Sequence, residues 1–444
     1  MGTVDSLMNV KKIVESIPGQ SVTVVSALGG LTDRLILAAR SAATGSAEFR
    51  EDVEEFTERH LNIIHNVVPG EIREEVAMEV NALLKRLLMI YEGVKLIGHL
   101  PEQTLDLIVS FGERMSSVIV AAMIEGAVRY DSLEFIKTEK WFGKNVAEQQ
   151  LTGKLIAERF RIPFQRVVVP GFISTDKETG DITNLGRGGS DFTAALIAAA
   201  LDAEILEIWT DVDGFMTADP RLVKEAFVVE NMSFIESMEL CTFGAKVIYP
   251  PTIYPVFHKN IPIKILNTFH PDAPGTLITD MVKDSDLRIK GVTALRNTAL
   301  ITVSYPVSDK GSDITNRAYN AVATQGIKIF PLANPNPDTE FLFSVAETDI
   351  RVSFDIIVKE FAPEINSGEM EVPSIRNALS TIAVVGEGMK NDSRLAARIG
   401  NTLEREGIDV LAYSSGTSDT TLTFMISKEY TEKALRHIHT LIFG

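Results

Sequence analysis

A pattern of strand, helix, two strands and helix occurs twice in the C-terminal part of this 444-residue chain. The copies are offset by about eighty residues, and each alone is small for an independent core. We therefore expect the two copies to pack together, joined by residues 363–379. The predicted elements are strand 299–305, helix 312–325, strands 327–332 and 340–346 and helix 349–361, then strand 381–387, helix 392–406, strands 408–413 and 420–426 and helix 430–441.

Before this repeat, strand patterns alternate with helical patterns. The alternation predicts a largely parallel sheet covered by helices on both faces, which is an α/β architecture. The predicted elements are strand 21–27, an almost entirely helical stretch over 47–127, strands near Leu133, at 166–169 and at 204–209, and helix 190–201 between the last two strands.

Composition excludes several classes of protein. A net charge of −17 argues against general nucleic-acid binding, which needs a broad cationic surface. No apolar run approaches the roughly 20 residues that span a bilayer, so we expect no membrane partner. Cys241 is the only cysteine, which rules out an intrachain disulfide or a cysteine-based metal cluster and fits a reducing compartment. A cytoplasmic protein is therefore expected.

The segment TNLGRGGSDFTAA, residues 183–195, places a glycine-rich turn directly before an alanine-rich helix. Glycines allow a ligand to approach the backbone, and a helix N-terminus carries unpaired N–H groups and partial positive charge. Arg187 within the turn suits a carboxylate or a phosphate. The structural alternative is a loop capped by Ser190 or Asp191 with a solvated arginine. The glycines of the turn are Gly186, Gly188 and Gly189.

A second candidate segment is IWTDVDGFMTADPR, residues 208–221, at the carboxyl end of a predicted central strand. Open α/β sheets bind ligands at such ends. Asp211 and Asp213 suit a metal or a ribose, and Arg221 suits phosphates. The alternative is ordinary turn chemistry, because Asp-Gly and Asp-Pro pairs are common in turns.

Two further segments contain charged residues that are candidates to contact a ligand. FGER, 111–114, puts Glu113 and Arg114 in an apolar helix, where they require a ligand or a structural ion pair. FGAKVIYP, 243–250, presents Lys246, which either neutralises phosphate or lies in solvent. The chain contains neither a HExxH pair nor a GxxxxGK[ST] loop, which excludes zincin and P-loop chemistry.

Taken together, the segments resemble the aspartokinases of the amino-acid kinase superfamily, and they occur in that family's order. The repeats that follow resemble paired ferredoxin-like ACT domains. The matching segments are VVSALGGLTDRL at 24–35, FGERMS at 111–116, LGRGGSDFTAA at 185–195, WTDVDGFMTADPR at 209–221, MSFIESMELCTFGAKVIYP at 232–250 and IPIKILNTFHPDAPGTLI at 261–278.

The resemblance implies a three-layer α/β/α kinase domain over residues 1–284 and ACT regions over 285–379 and 380–444. It implies transfer of the ATP γ-phosphoryl group to the β-carboxylate of L-aspartate, at the start of lysine, threonine and methionine biosynthesis, with Mg²⁺ on the nucleotide. Arg187 would hold the substrate α-carboxylate and Glu113 its ammonium. No residue is assigned as a metal ligand. The resemblance also implies that Ser26, Thr32, Ser190 and Asp191 belong to the substrate pocket. The implied ATP contacts are Gly186, Gly188, Gly189, Thr210, Asp211, Arg221 and Lys246. The implied catalytic residues are Lys246 and Asp191.

The N-terminus departs from the family pattern. Aspartokinases begin with an apolar strand ending in Lys-Phe-Gly-Gly, whereas Met1 is followed here by GTVDSLMNVKKIV. We therefore expect that this chain lacks the first strand and one phosphate-binding lysine. The alternatives are a catalytically impaired amino-acid sensor and another amino-acid kinase, such as one acting on glutamate.

The loop before helix 312–325 lies where ACT domains bind effectors. Lys310 and Asp313 are candidates to contact an effector such as lysine or threonine, although the same loop would also suit a subunit contact. Because ACT domains pair with each other, we expect a homodimer or higher homo-oligomer formed through them.

Overall fold

The computed structural model describes residues 2–141, 143–280, 287–305, 311–332, 339–387, 389, 393–414 and 419–444. The chain forms two compact units. The first contains the residues up to Asp213 together with Ile248–Asp280. The second contains Gly214–Val247 and the described residues from Leu287 onward. The expected functional limits at residues 284 and 379 remain a prediction.

The first part of the chain alternates helices and strands. Among these elements, β9 and α8 belong to the second unit and all others to the first. The elements are α1 (Val4–Ser16), β1 (Ser21–Val25), α2 (Leu31–Ala43), α3 (Phe49–Val67), α4 (Arg73–Ile97), α5 (Glu102–Met123), β2 (Ala127–Arg129), β3 (Lys137–Trp141), β4 (Lys144–Ala147), α6 (Gln149–Arg159), β5 (Arg166–Pro170), β6 (Ile173–Asp176), β7 (Ile182–Asn184), α7 (Gly189–Ala200), β8 (Leu206–Thr210), β9 (Asn231–Ser233), α8 (Phe234–Thr242), α9 (Ile253–Phe257), β10 (Ile263–Asn267) and β11 (Thr276–Thr279).

The centre of the first unit is a parallel sheet in which β5 lies between β1 and β2. Successive side chains of a strand point to opposite faces. Accordingly, Val168 packs in the core formed with α1–α5, whereas Val167 and Val169 pack in the core formed with α6 and α7. Helices therefore cover both faces, which confirms the predicted three-layer α/β/α arrangement.

Two smaller groups of strands complete the first unit. β8 pairs in parallel with β10, which pairs antiparallel with β11. The hairpins β3–β4 and β6–β7 form a separate sheet in which β3 pairs with β6. Helix α7 packs against both β1 and β8, strands that belong to two different sheets.

The second unit contains the predicted repeat as one six-stranded sheet with the order β13-β14-β12-β15-β17-β16. The copies join through the long antiparallel pair of β12 and β15, so they associate within one chain. The elements are β12 (Ile289–Ser304), α10 (Gly311–Ala323), β13 (Phe330–Pro331), β14 (Glu340–Ala346), α11 (Ile350–Glu360), α12 (Ala362–Ser367), β15 (Ser374–Gly386), α13 (Ser393–Arg405), β16 (Ala412–Ser414), β17 (Thr421–Ser427) and α14 (Thr431–Phe443).

Several sequence predictions were wrong in detail. Leu133 lies in a 3-10 turn rather than a strand, because the Asp131 carboxylate accepts its N–H at 3.1 Å. The strand predicted at 299–305 is the end of the longer β12. The predicted connection over 363–379 contains helix α12 and the first residues of β15.

No helix in the described ranges is both long and apolar enough to cross a lipid bilayer. The cytoplasmic location stays a prediction.

Candidate active site

Helix α5 fixes the loop that follows β1. A Cβ atom on Gly112 would lie 2.7 Å from the Cβ of Ala27, so only glycine permits this approach. The close packing allows Glu113 Oε1 to accept the N–H of Ala27 at 3.1 Å. The Ser116 hydroxyl donates to the carbonyl of Ser26 at 2.7 Å. The FGERMS segment therefore ties a helix to the end of a central strand.

The glycine-rich turn connects β7 to α7 on the other side of this loop. Gly188 precedes the helix with φ 67°, in the left-handed region. A Cβ there would lie 2.4 Å from the Cβ of Tyr249, so both conformation and space require glycine. The turn thus brings its backbone close to the loop that follows β1. Helix α7, which begins in this turn, has unpaired N–H groups in its first turn.

These two loops line one cavity of about 280 Å³. The structure brings together eight of the residues proposed from sequence, although they lie far apart along the chain. Those that line the cavity are Ser26, Thr32, Glu113, Gly186, Gly188, Gly189, Ser190 and Asp191.

Glu113 is the most unusual of these residues electrostatically. Its side chain is 4% exposed, and its Oε2 has no hydrogen-bond partner within the described residues. Burial raises the pKa of Glu113 to about 7, against the opposing effect of the Ala27 hydrogen bond. A buried carboxylate with one free oxygen is suited to a cationic ligand group.

Asp191 contributes a second carboxylate from the first turn of α7. Burial raises its pKa to about 6. A carboxylate is favoured in this position by the helix dipole, which places partial positive charge at the N-terminus.

Arg187 lies at the tip of the glycine-rich turn, exposed and outside the residues that line the cavity. It forms no ion pair with any residue that the structure describes. Its guanidinium is therefore available for a ligand, and the substrate contact assigned to it stays a prediction.

Thr210 ends β8 and Asp211 follows it, and the Thr210 hydroxyl donates to Asp211 Oδ1 at 3.2 Å. At the same edge, the side-chain amide of Asn267 donates to Asp213 Oδ1 at 2.7 Å, and His270 Nδ1 lies 3.1 Å from the same oxygen. The His270 and Asn267 contacts lower the pKa of Asp213. Sequence reasoning assigned no role to Asn267 or His270, although a polar Asn at the end of a buried strand is a recognisable signal.

Arg221 and Lys246 belong to the second unit, and both are exposed. Arg221 forms a two-point contact with Asp219, through Nε to Oδ1 at 3.0 Å and Nη2 to Oδ2 at 2.8 Å. The nucleotide contacts assigned to Arg221 and Lys246 stay predictions. So does the effector contact of Asp313, which is exposed in the first turn of α10. Lys310 lies outside the described residues.

Comparison with known families places the chain in a class. The model of the Amino acid kinase family matches residues 3–267, and a model described as ACT domain matches residues 382–441. The first match covers more than half of the chain. The chain therefore belongs to the amino acid kinase family.

Its relatives within that class are aspartokinases. The chain is 30% identical to a bifunctional aspartokinase/homoserine dehydrogenase of Haemophilus influenzae, over 96% of this chain and 53% of that protein. It is 26% identical to aspartokinase 1, chloroplastic, of Arabidopsis thaliana, over 100% of this chain and 78% of that protein. The chain thus spans about half the length of the first curated relatives it matches.

A solved structure shows the same fold. E. coli aspartokinase III in complex with aspartate and ADP superposes with a TM-score of 0.84, at 24% identity, over 100% of this chain and 97% of that chain. The superposition supports the predicted architecture of a kinase domain followed by ACT-like repeats.

Proposed function

We propose that this chain is an aspartate kinase, which transfers the γ-phosphoryl group of ATP to the side-chain carboxylate of L-aspartate and gives 4-phospho-L-aspartate. The observation that carries the proposal is that Glu113, a buried carboxylate with an unpartnered Oε2, lines the same cavity as the N-terminal turn of α7. The Glu113 carboxylate can hold a cationic group, and the N-terminal turn of α7 can hold an anionic group. The cavity therefore suits a zwitterion. The names of the relatives support aspartate as that zwitterion.

In the proposed complex the chain holds both charged groups on the α-carbon of aspartate. The ammonium group binds Glu113, and the α-carboxylate binds Arg187 together with N–H groups at the start of α7. The hydroxyls of Ser26, Thr32 and Ser190 complete the pocket. This orientation leaves the side-chain carboxylate free to face the nucleotide.

The reaction requires no general base, because a side-chain carboxylate with an ordinary pKa of about 3.9 is ionised at neutral pH. A carboxylate oxygen forms a bond to the γ-phosphorus, and the bond between that phosphorus and the bridging oxygen breaks. The electron pair of the broken bond leaves with ADP. Lys246 is proposed to neutralise the transferring phosphoryl group, and Asp191 to orient the groups around it.

The proposed nucleotide contacts are Thr210, Asp211, Arg221 and Lys246, with the glycines at 186, 188 and 189 allowing close approach of phosphates. Within the described residues, no cluster of three or more His, Cys, Asp or Glu side chains could hold a metal ion. We propose that Mg²⁺ is carried by the nucleotide's phosphates, where it would neutralise their charge.

Regulation and assembly are further parts of the proposal. An amino-acid effector such as lysine or threonine would bind beside Asp313, and subunits would associate through the ACT repeats. Support comes from the ACT match and from E. coli aspartokinase III, which has been crystallised with lysine and aspartate. Calorimetric titration with both amino acids and light scattering test these two points separately.

The activity is tested by measuring ADP release with Mg²⁺ and ATP on a panel of aspartate, glutamate and no amino acid. The assay includes this chain and the same chain extended before Met1 by an apolar strand ending in Lys-Phe-Gly-Gly. We expect release that depends on aspartate and exceeds that with glutamate, at least in the extended chain. Preference for glutamate would instead identify another amino-acid kinase.

An outcome with no release in either chain, but with calorimetric binding of an effector, would contradict the kinase proposal and favour the amino-acid sensor. Glu113→Gln serves as the matched control, because it preserves the acceptor for Ala27 while removing the charge. Its ADP release should fall at subsaturating aspartate if the observed activity belongs to this cavity.

A further inference from the structure

Asp106 lies outside the cavity yet is connected to it. It is in the second turn of α5, only 8% exposed, and seven residues before Glu113 on the same helix. Two helical turns separate these carboxylates, so they extend from one side of α5. Asp106 has no role in the proposed reaction, yet a buried carboxylate requires partners.

The partners of Asp106 are two side-chain amides. Asn184 Nδ2 donates to Oδ1 at 2.6 Å, and Asn145 Nδ2 donates to Oδ2 at 3.3 Å. Asn184 ends β7, immediately before the glycine-rich turn, and its own Oδ1 accepts the N–H of Gly186 at 2.9 Å. Gly186 has φ 72° and lines the cavity. A chain of two hydrogen bonds therefore runs from Asp106 to the turn.

The direction of this chain is fixed by chemistry. A carboxylate only accepts, so Asn184 must point its NH₂ group at Asp106. The carbonyl oxygen of the same amide then points at the N–H of Gly186. Without an acceptor at position 106, nothing would hold the amide of Asn184 in this orientation. A rotated amide would turn its NH₂ group toward the N–H of Gly186, and two donors cannot form a hydrogen bond.

We propose that Asp106 is a positioning residue: through Asn184 it holds the glycine-rich turn in the conformation that receives the carboxylate of aspartate. The inference rests on the proposed function for its substrate, but the hydrogen-bonded chain itself is independent of it. Burial raises the pKa of Asp106 to about 6, and the Asn145 contact and the charge of Lys140 oppose this rise. The side-chain amides of Asn184 and Asn145 both donate to Asp106, an arrangement that favours its ionised carboxylate.

The test exchanges the carboxylate and the amide between positions 106 and 184. Asn184→Asp places two carboxylates in contact, so we expect the KM for aspartate to rise about tenfold or more. Asp106→Asn alone should have a mild effect, because the new amide still offers an oxygen to Asn184 and can donate to the unpartnered Oδ1 of Asn145. The double variant, Asp106→Asn with Asn184→Asp, restores both hydrogen bonds with the original net charge. Its KM for aspartate should return to within about threefold of the parent.

Asn145→Ala is the matched control, since it removes the other donor to Asp106 without touching the turn. It should leave the KM for aspartate within about twofold of the parent. If the double variant is as impaired as Asn184→Asp alone, or if Asn145→Ala is equally impaired, the inference is overturned.

Hydrogen exchange of the Gly186 amide separates this inference from the proposed function. Exchange should accelerate about tenfold in Asn184→Asp and return to the parent rate in the double variant, whether or not the protein phosphorylates aspartate. Absence of aspartate-dependent activity in both the parent and the extended chain, together with this exchange pattern, would refute the kinase proposal and retain the positioning role. Unchanged exchange in Asn184→Asp would refute the positioning role itself.

Discussion

Glu113 accepts the backbone N–H of Ala27 at 3.1 Å through one carboxylate oxygen and leaves the other without a partner in the described structure. The first contact holds the loop after β1 against α5. The residue lines the cavity together with the turn of α7. The Glu113 side chain therefore has a packing role, through Ala27, and a proposed role in binding substrate. A substitution that keeps the hydrogen bond but removes the charge tests the second role alone.

Glu113→Gln should weaken aspartate binding without weakening the fold. The amide keeps an acceptor for Ala27 but loses the charge that holds an ammonium group. We expect the dissociation constant for aspartate to rise by about tenfold to a hundredfold, the range for a hydrogen bond to a charged group. Thermal unfolding should be unchanged or shifted upward, because an unfavourable buried charge is removed. A large drop in the unfolding temperature would assign Glu113 a structural role instead.

Aspartate affinity should depend on pH through Glu113. The pKa of this group is raised to about 7 in the free protein, and binding an ammonium requires the ionised form. Affinity should therefore fall as pH is lowered from 8 to 6, approaching tenfold per pH unit below about 7. Calorimetric titrations at several pH values measure this slope. Glu113→Gln is the control, and a slope that persists in the variant would show that another group titrates.

Gly188→Ala should damage both stability and activity. The residue has φ 67°, and the added methyl group would lie 2.4 Å from the Cβ of Tyr249. We expect a loss of about 1–3 kcal/mol in the free energy of unfolding, measured by urea denaturation, together with weaker aspartate binding. Gly153→Ala is the matched control in α6, where a Cβ meets nothing within 4 Å. Helix propensity predicts that this control is neutral or stabilising by up to about 1 kcal/mol, so similar losses in both variants would contradict the explanation.

His60 should make the protein sensitive to mild acid. Its ring is fully buried in α3, and Nδ1 lies 2.6 Å from the carbonyl of Phe56. Burial lowers the pKa of His60 to about 4, whereas an unfolded chain has a value near 6.5. The stability from keeping this ring neutral is present above about pH 6.5 and is lost as pH falls toward 4, by up to about 3 kcal/mol.

The measurement for His60 is urea denaturation between pH 7 and pH 4.5. Replacement by leucine, which does not titrate, should reduce the pH dependence in this interval by most of that amount. An identical pH dependence in parent and His60→Leu would show that the acid sensitivity arises from other groups.

The sequence predicted the layers well, because burial leaves a clear periodicity. The Val167–Val169 run indicated a strand buried on both faces, and the repeat indicated ten elements of the second unit in order. The predictions failed where backbone depends on a side chain or a partner strand. Asp131 converts the region of Leu133 into a 3-10 turn, and pairing with β15 extends β12 into a segment with polar residues at 296–298.

For the site, local motifs identified residues but not their connections. Spacing within LGRGGSD indicated an anion site, and the family resemblance assigned Glu113 to the same pocket. The hydrogen bond from Ala27 to Glu113 and the chain from Asp106 through Asn184 to Gly186 join positions far apart in sequence. Such contacts depend on how α5 packs against β1 and β7, which no local pattern encodes.

The central claim is that Glu113 recognises the ammonium group of aspartate, and calorimetric titration with aspartate and succinate tests it most directly. Succinate keeps both carboxylates and lacks only the ammonium group. The account predicts that the parent protein prefers aspartate by about tenfold or more, and that Glu113→Gln reduces this preference to near unity. An equal preference for aspartate in parent and variant would contradict the assignment of Glu113 to the substrate.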